Sequence, residues 1–473
     1  MTYIHRSLGR RDFLRKAAQL SAVAGTPFAM NLMAMGAASA QTAGGHKALV
    51  CIFLAGGNDQ SNTVVPVSTA AYNAYAQGRP TLAIPVGNLL AINPTGYTGA
   101  ALGLHPSLSA IHPLFSQQRI ALMANVGTLT QPTTRAQWND GRPSVAVPQQ
   151  LFSHSDQQNA WQTGLPDQPS QTGWQGRMGD LLASAYNPGS GVSIAMSIAG
   201  NNLMQAGNST VQYQLTTDGA VSLSDRITES NGTVSLRNMV PLPYSELGGA
   251  AIRRLMTETR TQLLENELNK ISARAISTEA VVSSALSGVS MPSPFPATGL
   301  GRQLRMVARM IAARGALGQN RQMFFVQQGG YDFHDNLLTD QATKLSELSD
   351  AMAAFYQATA AMGVANQVTT FTASDFGRAL QHNGRGSDHG WGGHHFVMGG
   401  AVQGNRVYGQ FPTVALNGPE DSGRGALIPT TSVDEYASTL ARWFGVSSSN
   451  LPTVFPNIGR FASRDLGFMG PLI

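Results

Sequence analysis

The sequence predicts an α/β fold built on a mostly parallel central sheet. Two observations carry that reading. Several apolar runs are continuous rather than alternating, as strands buried on both faces are. Between two of them lies a long segment of helical period, which makes a β-α-β unit, and such a unit sets its strands parallel.

The elements follow in order. "GRRDFLRKAAQLSAVAGTPFAMNLMAMGAASA" carries Arg10 and Arg11, a modestly apolar stretch, and Ala38-Ser39-Ala40 as a cleavage site. Residues 1–40 therefore read as a twin-arginine export signal rather than as part of the fold. Residues 41–473 read as one α/β domain with an insertion around 190–300. "HKALVCIFLAGGND" holds an unbroken apolar run from Ala48 to Ala55 and ends in Gly-Gly, the first strand. "RIALMANVG" is a second strand, and "QMFFVQQGG" and "QVTTFTASDFG" are a third and fourth. Between the last two, Leu345, Leu348, Met352, Phe355 and Met362 fall on one face of a helix over 340–363, with Thr359 as a polar break. Residues 245–288 and 299–318 read as further helices over the sheet, and "GNSTVQYQLTTDGAVSLSD" as short strands or loops of the insertion.

Composition narrows the class. A chain of 473 residues at 42% apolar content can bury a large core. Residues 1–40 carry five of the 31 Lys and Arg and one of the 26 Asp and Glu, so the remainder holds 26 against 25. A net charge of +1 argues for neither nucleic acid nor an anionic membrane as partner. No other apolar run is long enough to span a bilayer. The single cysteine, Cys51, excludes an intrachain disulfide and a thiolate zinc cage. The twin-arginine translocase carries folded proteins, a route that suits a chain loaded with metal before export to the periplasm or beyond.

Three of the strands run into an Asp. After the first comes "GGNDQSN" with Asp59 and Ser61; after the third, "GGYDFHDN" with Asp332, His334 and Asp335; after the fourth, "SDFGR" with Asp375 and Arg378. In α/β sheets ligands gather at the carboxyl ends of strands. Residues i and i+2 of an extended segment share a face, so Asp332 and His334 point one way and Asp335 the other, where it could cap the next helix. "GSDHGWGGHHFVMGG" adds Asp388, His389, His394 and His395, and four of the ten histidines lie between His382 and His395. Carboxylates and imidazoles without thiols suit one or two divalent ions: zinc, manganese, iron, or calcium or magnesium where oxygens dominate. The plainer alternative is that Asp residues after Gly-Gly serve turns and helix caps. His105 and His112, i and i+7 on an expected helix, read as packing or capping residues.

"LAGGNDQSNTVVP", "LHPSL", "LFSHSDQQNAWQTG", "GGYDFHDN", "SDFGR", "SDHGWGGHHFVMGG" and "VDEYASTLARWFGV" together resemble the twin-arginine-exported bacterial family known as domain of unknown function 1501. The layout is more distantly similar to the alkaline phosphatase and sulfatase superfamily. That second resemblance implies an alkaline phosphatase-like three-layer sandwich and a metal-dependent hydrolase of phosphate or sulfate esters. It assigns Asp59, Asp332, His334, Asp375, Asp388, His389 and His394 to metal. It also implies a nucleophile at a helix N-terminus, with Ser153 or His154 at the matching place and Ser155 close by; the absence of Cys there excludes an ordinary formylglycine sulfatase. The superfamily's Ser-Asp-His-Gly has two counterparts: "SDFG" follows a strand but has Phe376 for the histidine, and "SDHG" has the letters but follows a loop. One resolution has Asp375 ligate from the strand end while His389 folds back to replace the missing imidazole. The expected ligand is a small anionic ester. The family's frequent neighbour among exported proteins implies a co-encoded partner. The alternative is a non-catalytic exported protein that keeps the fold for binding or assembly.

Overall fold

The computed structural model describes residues 45–220, 226–228, 234–236 and 262–470. The expected export signal, and residues 245–261 of the helix expected over 245–288, lie outside the described residues; the rest of that expectation is met by a helix at Leu263–Leu286.

A mixed, mostly parallel sheet of nine strands forms the centre, with helices on both faces. The strands used below are β1 (Lys47–Ala55), β2 (Ile120–Gly127), β3 (Ala195–Ser197), β4 (Tyr213–Gln214), β5 (Arg321–Gly329), β6 (Val368–Ser374), β7 (Arg378–His382), β8 (Ser387–His389), β9 (Gly393–Gly399) and β10 (Val407–Tyr408). The order across the sheet is β10-β2-β9-β6-β1-β5-β3-β4, and Thr431–Ser432 also pairs with β2. β7 and β8 form a separate antiparallel ribbon. β3 and β4 fall within the expected insertion, yet they extend one edge of the central sheet.

β1 shows why the sheet is covered twice. Ala48, Val50, Ile52 and Leu54 join the core on one face, and Leu49, Cys51 and Phe53 join the core on the other. Every one of them is buried, so alternation between faces is invisible in a run that is apolar throughout. On the first face pack α3 (Gly299–Ala312) and α4 (Leu337–Ala361); on the second, α2 (Trp174–Tyr186) and α5 (Val433–Phe444). The predicted stripe of α4 is buried from Leu345 to Phe355, and Met362 is half-buried against the same core. Thr359 is buried too, its hydroxyl donating to the Tyr356 carbonyl, which satisfies it without leaving the helix.

One long strand departs from the parallel set. β9 runs antiparallel to both β6 and β2. His105 and His112 do not share a helix: His105 caps a short 3₁₀ turn at Pro106–Leu108, and His112 opens a separate helix. Among the described residues, no helix is long and apolar enough to cross a membrane.

Candidate metal centre

β1, β5 and β6 are neighbours and parallel, so their carboxyl ends meet at one edge. The crossing is tight. Gly56 (φ 117°) packs against the Asp332 backbone, and a side chain at Gly57 (φ 84°) would overlap the Phe376 ring. Positive φ and missing Cβ are both needed there, which is what Gly-Gly at the end of β1 supplies. The β7–β8 ribbon then folds back over this edge, pairing Arg378 with His389. The two Ser-Asp-x-Gly segments therefore precede β7 and span β8 of one ribbon, and both reach the same place. α1 (His154–Thr163) enters from the side with His154 as its first residue.

Asp332 sits in the middle. Its Oδ1 accepts from Arg378 Nη1 at 3.0 Å and lies 2.9 Å from His334 Nε2 and 3.2 Å from His389 Nε2. Its Oδ2 is 3.5 Å from His154 Nε2. The nitrogens His334 Nε2 and His389 Nε2 are 2.9 Å apart. Ligand atoms of His154, Asp332 and His389 all lie within 4.8 Å of one another, as do those of His334, Asp388 and His389.

The other nitrogen of each inner imidazole is already committed. His154 Nδ1 is 2.6 Å from Asp375 Oδ2, a carboxylate that can only accept, so Nδ1 carries the proton. His389 Nδ1 is 2.6 Å from the Phe152 carbonyl and donates likewise. Both rings therefore present a bare Nε2 to Asp332 when neutral, and His154 Nε2 is buried with no hydrogen-bond partner. An acceptor behind the imidazole is the usual support of a metal-ligating histidine. Phe376, the residue after Asp375, lies against both rings, at 4.8 Å from His154 and 4.7 Å from His389.

The electrostatics differ between the two rings. The Asp375 hydrogen bond, opposed by burial, raises the His154 pKa above its ordinary value. Burial lowers that of His389, outweighing its bond to Phe152. Burial works against ionised Asp332, but the Arg378 hydrogen bond and charge, aided by His334 and His154, hold its carboxyl below the usual range.

Several expectations are corrected. Asp59 is fully buried, capping its own turn at Ser61 and ion-paired with buried Arg79, so it is not offered to a metal. His394 points into the core: Nδ1 accepts from the Asn125 amide, its ring stacks on Phe411, and burial lowers its pKa to about 3. Ser153 donates to Asp156 at 2.6 Å and hydrogen-bonds no member of the cluster, so nothing there activates it as a nucleophile. Asp335 does not cap α4 through the helix amides; it pairs with Arg385 at 2.6 Å. Asp388 is not among these corrections: at the rim it stays grouped with His334 and His389, while pairing with Arg424 at 2.5 Å and accepting from the His389 amide. Asp375 lies behind His154 and orients it; its Oδ2 also accepts from Gln158 and the Gly56 amide.

Two contributors had no signal in the pattern. Gln158 is an ordinary amide one turn into α1. Phe152 acts through its carbonyl, held by a left-handed backbone (φ 72°) that a bulky residue rarely adopts.

No curated protein matches the chain. Among solved structures, one match is the crystal structure of Ps i-CgsB in complex with k-i-k-neocarrahexaose, at 8% identity and a TM-score of 0.31. It covers 89% of this chain and 78% of that one. The model of the family described as "Protein of unknown function (DUF1501)" matches residues 46–451, and the chain belongs to that family.

Proposed function

We propose that this chain is an exported metal-dependent hydrolase of phosphate or sulfate esters, with His154, Asp332 and His389 as the ligands of a divalent cation. The observation that carries the reading is the pair of imidazoles whose Nδ1 protons are spent on Asp375 and Phe152, so that two Nε2 lone pairs converge on one carboxylate. Two nitrogens and an oxygen fit zinc, manganese or iron and disfavour calcium, which takes oxygens. A cation bound there supplies a Lewis acid that polarises the ester and makes water acidic enough to attack near neutral pH.

The chain's own residues do the rest. With Ser153 turned to Asp156, the attacking oxygen is water's. His334, half exposed beside Asp332, is placed to take or return a proton at the mouth of the site. α1 begins at His154, and its first-turn N–H groups favour an anion beside the cluster. Asp375 keeps His154 in the ligating tautomer. Export by the twin-arginine translocase to the periplasm or cell exterior rests on Arg10, Arg11 and the Ala38–Ala40 cleavage site.

One observation favours the alternative, a non-catalytic exported protein that binds or assembles with a co-encoded partner. Arg378 already donates to Asp332 Oδ1, and His334 Nε2 lies 2.9 Å from the same oxygen, so the carboxylate has partners without a cation. Metal analysis of protein exported through its native route separates the two. The hydrolase reading expects zinc, manganese or iron near one equivalent, lost in His154→Ala and Asp332→Ala, and turnover of an aryl phosphate or aryl sulfate that is lost with it. Protein that folds metal-free and stays inert after zinc, manganese and iron are each added back overturns it.

A further inference from the structure

The opposite edge of the sheet carries a second feature, independent of the hydrolase reading. Lys47 begins β1, and the nine residues of that strand put it ~25 Å from the acidic edge. Around it lies a cleft of about 500 Å³ lined by Lys47, Arg119 and Arg406, by the amides of Gln118, Asn366 and Gln403, and by no Asp or Glu. That volume suits a small molecule.

Among the described residues the three cations have no counter-ion. Arg119 and Arg406 make no side-chain hydrogen bond or ion pair among the described residues. Lys47 donates to the Trp443 carbonyl at 2.6 Å and lies over the Trp443 ring, so a neutral acceptor and a π-face fix the ammonium without cancelling it. Burial, with Arg321 nearby, lowers its pKa to about 8. The walls are anchored. The Arg119 carbonyl accepts from Gly399 at the end of β9, and the Arg406 carbonyl from Leu122 of β2. Like charges held round one concavity repel unless an anion enters; the neutral amides of Gln118 and Asn366 can add donors, while that of Gln403 is spent on the Gly467 and Met469 carbonyls.

We propose that this cleft binds a small oxyanion bearing two or more negative charges, of the phosphate, pyrophosphate or sulfate kind, through Lys47, Arg119 and Arg406.

Calorimetric titration of the purified protein with pyrophosphate, phosphate and sulfate, each at low and high sodium chloride, tests it. The three anions separate a general dianion site from one tuned to the diphosphate. Binding is expected to weaken with salt. It should be about tenfold weaker or worse in the double variant Arg119→Gln/Arg406→Gln, whose thermal midpoint should match the parent. It should be unchanged in Asp332→Ala, which disables the candidate metal centre and so keeps the two proposals apart. Absence of binding by all three anions at millimolar concentration overturns the proposal. So does binding that survives the double variant, or that disappears in Asp332→Ala.

Discussion

His154 has one ring nitrogen on a buried carboxylate and the other, unpartnered, beside Asp332, so its tautomer is the most consequential detail of the site. Asp375 can only accept, which keeps the proton on Nδ1. Asn at that position can turn its amide N–H₂ toward Nδ1 and move the proton to Nε2, where it blocks a cation. Asp375→Asn is expected to weaken zinc binding about 10–100-fold in competition with a chelator. Unchanged affinity would show that the carboxylate does not set the tautomer. Proton titration of the metal-free protein by NMR gives a second check. His154 should titrate above 6.5 and His389 below it, and Asp375→Asn should bring His154 down; a His154 that does not move in the variant refutes the assignment. At this scale much of the site was legible. Asp332, His334, Asp375 and His389 all follow or flank strand ends, and they meet. Asp59 follows one too, but Arg79, twenty residues on, claims its carboxylate inside the protein. Nothing local in "GGNDQSN" announces that partner. His394 was misread for a related reason: on a strand buried on both faces, a histidine can be core.

The elements bring these residues together through two tight contacts, the Gly-Gly end of β1 and the β7–β8 ribbon. Gly57→Ala meets both a positive φ and the Phe376 ring. Left-handed strain and overpacking together are expected to cost about 3 kcal/mol. The substitution should also shift the ring on which His154 and His389 rest, so urea unfolding and metal content should fall together. A fully metal-loaded, destabilised Gly57→Ala would show that Phe376 is only packing. Gly87→Ala, which meets nothing within 4 Å, serves as control. The buried strands and α4 were plain in the sequence, because burial on both faces leaves an unbroken apolar run and burial of one helix face leaves a 3.6-residue stripe. β9 was hidden. "GHHFVMG" stands out in the sequence only as a histidine-rich stretch, because two histidines and flanking glycines interrupt the apolar signal, although all seven residues are buried. That hidden strand is what makes the sheet mixed. The ribbon was hidden as well, since neither "RALQH" nor "SDH" alternates long enough to read as a strand. Sequence alone therefore offers "SDFG" and "SDHG" as two counterparts, with their joint use as one resolution, and the ribbon brings both to one place.

Across the molecule, the histidines outside the site set how it meets acid. Burial lowers His46 and His105 to about 4, and His394 and His395 to about 3. Each is held neutral in the fold but gains a proton near pH 6.5 when unfolded. Their stabilisation is therefore complete above 6.5 and is lost as pH falls toward 4 and 3. Two groups act the other way. His154, raised, contributes fully below 6.5 and loses that contribution as pH rises through its folded value. Asp434, pushed up by burial to about 8 against the pull of Arg177, favours the fold at low pH and loses that as pH climbs. Between 6.5 and 4 the His154 contribution is constant, so four protons taken up on unfolding oppose one released by Asp434. Each unmatched proton changes stability by about 1.4 kcal/mol per pH unit, so the histidines win. The thermal midpoint of the metal-free protein should fall steadily from pH 6.5 to 4. The slope should flatten in His105→Gln and His46→Gln, each of which removes one proton from the difference without touching the candidate centre. A midpoint that is flat or rises on acidification would mean that these four imidazoles are not held neutral by burial.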